Sequence, residues 1–143
     1  MPYRITEEGN NITLTSEGTS YTHVFQDGGA GLFSLMYDIE NVRGDKRVDI
    51  VVDATSMDTL FAAWLKDLLE RNTINQIVFS EFSVATIQKV HDTQYLLTGA
   101  AYGEDVDPAK HILKKHVKDV KVSTATCEGA DKNYICQSVI VTA

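Results

Sequence analysis

The sequence predicts an α+β fold in which two main helices pack on one face of a mostly antiparallel β-sheet. Three observations lead there. Met57 to Leu68 has the spacing of a buried helical stripe, and a second apolar helical pattern precedes it. Several other segments alternate apolar and polar residues as half-buried strands do. Read along the chain, the signals run β-α-β-α-β-β-β-β, with six or seven strands in all, an order that indicates a sandwich with its helices on one face. The 143 residues, 43% hydrophobic and 23% charged, suit a single domain over 1–143.

Ile12-Thr13-Leu14-Thr15 alternates as a strand, and Glu17-Gly18 supplies a turn. From Ser20 to about Asn41 the spacing is helical, with Val24, Leu32, Leu35, Met36 and Ile39 on one face. Gly28, Gly29 and Gly31 interrupt it. Each costs about 1 kcal/mol against Ala in a helix, so either the helix breaks there or its backbone approaches something closely. Val48, Ile50 and Val52, alternating with Asp49 and Asp53, form the next strand. Ser56 then N-caps a helix with Asp58 in its first turn, where the dipole favours negative charge. Met57, Leu60, Phe61, Trp64, Leu65 and Leu68 are its buried face, and Trp64 reads as a core residue. Strands follow over Ile77 to Val90 and Tyr95 to Tyr102. After the Asp107-Pro108 turn an irregular or short helical piece reaches Leu113. Val117, Val120 and Val122 open a strand disturbed near Asp119, and Tyr134 to Val141 closes the chain antiparallel to it.

Charge bounds the partners. Thirteen basic against 20 acidic residues give −7, which repels nucleic acid and acidic membrane at long range. The exception is a run of lysines, Lys110, Lys114, Lys115, Lys118 and Lys121, where Asp119 is the only acid. It is either a solvated face or a docking patch for phosphate or an acidic surface. No apolar run approaches the ~18 residues of a membrane span, and Met1 to Glu8 holds no signal-peptide core, so the expected location is the cytoplasm. Cys127 and Cys136 flank a turn-like segment and can face each other across a hairpin; in the cytoplasm two reduced thiols are the expectation.

Catalytic signatures are missing. There is no phosphate-binding G-x-x-x-x-G-K-[ST], no G-x-S-x-G, and no C-x-x-C pair. His111 and His116 are five apart, off the i, i+4 spacing of a helical metal pair, and each histidine reads as a partly exposed polar residue.

Four blocks supply a resemblance. They are Leu32-Phe33-Ser34-Leu35-Met36-Tyr37-Asp38, Trp64-Leu65-Lys66-Asp67-Leu68-Leu69, Val78-Phe79-Ser80-Glu81-Phe82, and Ala101-Tyr102-Gly103-Glu104 with Asp107-Pro108, His111, Leu113-Lys114 and Val117-Lys118. In this order and separation the chain, from about Gly18 to Val120, resembles the archease family, small accessory proteins of RtcB-type RNA ligases. The resemblance implies an archease-like fold and a non-enzymatic protein cofactor that promotes guanylylation and turnover of a ligase in tRNA splicing, with tRNA reached indirectly through that ligase. It also implies a divalent cation, Ca²⁺, held by an aspartate of an H-T-A-D motif and by the last two residues.

The chain departs from the family at that point. H-T-A-D falls on Glu8-Gly9-Asn10-Asn11, so the aspartate position reads Asn11, and the last two residues are Thr142 and Ala143. Hard cations want anionic oxygens; losing two carboxylates leaves the Ala143 terminal carboxylate alone, and cation binding is expected to be weak or absent. Glu7 or Glu8 substitutes only if the strand register slips. Ala63 replaces a family aspartate, and Lys121-Val122-Ser123 replaces a threonine-aromatic-histidine run, whereas Asp38 and Lys118 match. Asp38, Lys118, Lys114 and Lys115 are therefore the docking candidates. The competing expectation is an archease-fold regulator or binding module that has lost metal handling and ligase activation. Direct tRNA binding is disfavoured by the net charge.

Overall fold

A computed structural model of the chain describes residues 3–9 and 11–142. Its elements are β1 (Tyr3–Glu8), β2 (Asn11–Gly18), α1 (Tyr21–Met36), a 3₁₀ turn (Ile39–Asn41), β3 (Lys46–Ala54), α2 (Met57–Thr73), β4 (Ile77–His91), β5 (Gln94–Asp105), β6 (Val117–Ala130) and β7 (Asn133–Thr142). The α+β class, two helices and antiparallel pairing all match the expectation. The strands, however, divide into two sheets, ordered β1-β2-β7-β6 and β3-β5-β4. Each sheet turns one face to the helices: α1 packs on β2 and β4, and α2 on β6 and β3. The helices thus form a layer between the sheets, which is why their glycines and apolar residues are buried on more than one side.

Local chemistry sets the helix ends. Ser20 caps α1, its Oγ accepting from the His23 N–H at 3.3 Å. The helix stops at Met36, earlier than its apolar pattern suggests, because Tyr37 is extended and the pattern resumes as the 3₁₀ turn. Ser56 caps α2 in a reciprocal box with Thr59. Trp64 is fully buried, and its Nε1 donates to the Phe25 carbonyl at 2.7 Å, satisfying the one polar atom the indole carries into the core.

The three glycines of α1 are points of close approach. A Cβ on Gly28 would lie 2.7 Å from the Phe61 ring, on Gly29 2.9 Å from the Phe82 ring, and on Gly31 2.6 Å from Leu14 Cδ1. These contacts belong to α2, β4 and β2, so glycine lets α1 seat against three neighbours at once. The helix continues unbroken, and its cost in propensity is offset by packing.

Cys127 and Cys136 do sit opposite each other across the β6–β7 hairpin, with Cα atoms 4.1 Å apart, and they are disulfide-bonded rather than reduced. Among the described residues, no helix is long and apolar enough to cross a membrane.

Candidate functional site

The segment from Val106 to Lys118 joins the two sheets and carries most of the docking candidates. Its conformation is set by a knot of polar residues. Asp107 Oδ1 accepts from the Ala109 N–H at 3.0 Å, and its carbonyl accepts from Lys110 and His111 N–H at 2.9 and 2.6 Å. In return the Asp107 N–H donates to His111 Nδ1 at 2.9 Å. Pro108 fits the turn because its missing N–H is not needed there. At its two ends the segment is tied to the body: Val106 N–H donates to the Gln76 carbonyl at 2.8 Å, and Lys114 N–H to the Met36 carbonyl, at the end of α1, at 2.7 Å.

Glu104, at the end of β5, holds the knot to its surroundings. Its carboxylate accepts from the Arg43 N–H at 2.6 Å and from Lys110 Nζ at 2.9 and 3.0 Å. The Arg43 amide first, then the Lys110 ammonium, hold this carboxyl at about 2, below its ordinary 4.5. His111 is buried, not the partly exposed residue its sequence context suggests. Since Nδ1 accepts a hydrogen bond, the proton belongs on Nε2, which lies 3.4 Å from Glu104 Oε2 without hydrogen-bond alignment. Neither Glu104 nor His111 stood out as a site residue by type. Their signal was the spacing G-E-x-x-D-P-x-x-H, a motif that folds a rigid turn.

That turn places the lysines. Lys110 is neutralised by Glu104, and Lys115 by Glu7 at 3.3 Å. Lys114 and Lys118 are exposed and have no salt-bridge partner among the described residues. Lys114 and Asp38 line one cleft of ≈ 190 Å³ together with Asn41 and His111; Asp38 accepts from Asn41 Nδ2 at 3.3 Å. Lys118 stands apart, at the start of β6 beside Val117. Between the lysines the turn exposes Ile112 (72%) and Leu113 (46%). Apolar tips next to the unpaired Lys114 ammonium suit a partner surface that is acidic and partly apolar.

The degenerate metal positions are brought together only in part. β2 pairs with β7 so that Asn11 opposes Val141, one residue from Thr142, which in turn opposes Val117 of β6. Strand alternation then separates the side chains. Thr142 continues the inward series Ser138 and Ile140 and is buried, whereas Asn11 shares the opposite face with Val141 and is exposed. Ala143 lies outside the described residues. An amide and a hydroxyl on opposite faces do not make a hard-cation donor set, and no group of three or more His, Cys, Asp or Glu among the described residues is arranged to hold a metal ion. Across the β1–β2 hairpin Glu8 pairs with Asn11 and Glu7 with Ile12, and Glu7 is engaged by Lys115.

Comparison with known proteins places this arrangement. Residues 3–140 match the model of the Archease protein family. A protein archease from Pyrococcus furiosus is 31% identical over 114 residues, covering 80% of this chain and 79% of that one. Another from Methanosarcina mazei is 23% identical over 138 residues, covering 96% and 94%. The solution structure of Methanobacterium thermoautotrophicum protein 1598 superposes with a TM-score of 0.78 at 20% identity, covering 98% of each chain, and so shares the fold. With the family model matching nearly the whole length and a 31% identical relative covered over most of its own, the chain belongs to the Archease protein family.

Proposed function

We propose that this protein is a non-enzymatic accessory factor that docks on an RtcB-type RNA ligase and promotes its guanylylation and turnover in tRNA splicing and RNA repair. The observation that carries the reading is the Val106–Lys118 segment, which presents Ile112 and Leu113 beside Lys114, and Lys118 farther along at the start of β6, on an otherwise acidic molecule. The Glu104–Lys110–His111 knot orders this segment before any partner arrives, so little conformational entropy is lost on docking. tRNA is reached through the ligase, because a chain of −7 repels the phosphate backbone. No step in this reading runs through a cation held by Asn11 and Thr142. Cytoplasmic action follows from the partner proposed.

Reversing Lys114→Glu and Lys118→Glu together should weaken capture of the cognate ligase by about tenfold or more, with the effect shrinking at high salt. Unchanged capture by the double variant would remove the lysines from the interface. The divided positions of Asn11 and Thr142 favour one second reading, a regulator or binding module of archease fold that binds without activating. It predicts capture of the ligase with no gain in its turnover.

A further inference from the structure

Two antiparallel sheets leave four edge strands, and they are unequally protected. β4 changes register at Phe79/Glu81, Val84/Thr86 and Lys89/His91, and β6 at Val117/Asp119 and Lys121/Thr126. Such bulges blunt an edge. β1 is six residues long and ends in two acids. β3 has neither the bulges nor the shortness of these edges, and its charges, Lys46, Arg47, Asp49 and Asp53, are of both signs. It runs nine residues without a proline and pairs with β5 in unbroken register from Lys46↔Gly103 to Ala54↔Tyr95. Among the described residues, no backbone hydrogen bond joins Lys46–Ala54 to any element but β5, and α2 packs on the strand's face, not its edge. Val51 is 64% exposed, with Val48 and Val52 half-buried beside it.

We propose that β3 is a self-association surface, pairing antiparallel with β3 of a second copy about a two-fold axis at Ile50. The charge pattern favours this partner and disfavours the two registers next to this one; an axis at Val48 also opposes Arg47 to Asp49 but pairs only Lys46 to Ile50 of the strand. Directly opposed residues share a face, so a two-fold axis normal to the sheet must lie midway between one residue and its own copy. With the axis at Ile50, Arg47 opposes Asp53 twice, Asp49 opposes Val51 twice, and Val48 opposes Val52. Moving it to Asp49 sets that carboxylate against its own copy, and moving it to Val51 sets Asp49 against Asp53. Opposite charges directly across a strand pair attract and like charges repel, so both neighbouring registers are disfavoured. Arg47 and Asp53 are exposed. Within the chain Arg47 reaches Asp49 through Nε at 3.0 Å and the Tyr102 hydroxyl through Nη1, while Asp53 Oδ2 accepts from Gln94 at 2.8 Å. Among the described residues no hydrogen bond or ion pair engages Arg47 Nη2 or Asp53 Oδ1, and both can reach the second copy. The pairing joins two three-stranded sheets into one of six and sets Val51 against Asp49 of the second copy.

Sedimentation velocity of the full chain over a broad concentration range tests this. A reversible monomer–dimer equilibrium is expected. Arg47→Asp or Asp53→Arg alone places like charges across both pairs and should weaken the dimer by about tenfold or more. Mixing the two variants one to one should recover it, since each mixed pair again opposes a guanidinium and a carboxylate. Val51→Asp, facing Asp49 twice, should weaken it as well. Unchanged circular dichroism separates lost association from lost fold, and all three positions are exposed. A wild-type chain that stays monomeric at its highest soluble concentration overturns the proposal. So does a dimer indifferent to the reversals, or a mixture that fails to recover.

Discussion

Gly28→Ala sets two opposed effects against each other in the middle of α1. In an exposed helix the substitution gains about 1 kcal/mol from propensity. Here the new methyl carbon would lie 2.7 and 2.9 Å from two atoms of the Phe61 ring. That ring cannot retreat: it is fully buried and packed edge-to-face on Phe25 with centroids 5.1 Å apart. Overpacking of this kind costs about 1–3 kcal/mol, and two ring atoms with no free volume behind them place Gly28 at the upper end. The net expectation is a loss of about 2 kcal/mol, a fall in Tm of roughly 5–8 °C for a chain of this length. Urea unfolding followed by the fluorescence of Trp64, which is buried in α2, reads it directly. In a Phe61→Leu background the ring is gone, and the same Gly28→Ala change should turn neutral or stabilising. A Gly28→Ala variant more stable than wild type would refute the close-approach account of α1.

Two further substitutions probe the elements that position the docking segment. Ser56→Ala removes the half of the α2 capping box in which Ser56 Oγ accepts from the Thr59 N–H, and should cost about 1 kcal/mol in the same unfolding assay, with no change in ligase capture. Glu104 is held at about 2 when folded against an ordinary 4.5, so it contributes stability that is present above about 4.5 and lost as pH falls toward 2. Unfolding curves between those values should therefore lose stability more steeply for wild type than for Glu104→Gln; parallel slopes would mean the Arg43 and Lys110 contacts are not formed in solution.

What could be read from residues alone depended on how local its cause was. α2 was legible from end to end, since its cap, its apolar stripe and its buried tryptophan all lie within one segment. The hairpin of β6 and β7 was legible from Tyr134 to Val141, but β6 runs on to Ala130 through a mostly exposed stretch that pairing with β7 and contacts with α2, such as Cys127 N–H to Asp58, keep extended. β1 was missed because Tyr3, Ile5 and their polar neighbours make a short edge whose pairing depends on β2. The division into two sheets is a non-local outcome: no strand carries a mark of which others it joins. Gly28, Gly29 and Gly31 announced a close approach without naming Phe61, Phe82 or Leu14. At the candidate site, Asp38, Lys114, Lys115 and Lys118 were legible as charges. Their division between a paired set and an unpaired set was not, because it depends on Glu7 and Glu104, 108 and 6 residues away from the lysines they bind.

The most direct test of the accessory-factor account is multiple-turnover RNA ligation by the cognate RtcB-type ligase, with and without this protein, across a series of divalent ions. The account predicts that substoichiometric protein raises turnover, that the gain does not depend on which ion is supplied beyond the ligase's own requirement, and that Lys114→Glu with Lys118→Glu abolishes it. An active ligase whose turnover is unchanged by the wild-type protein would contradict it.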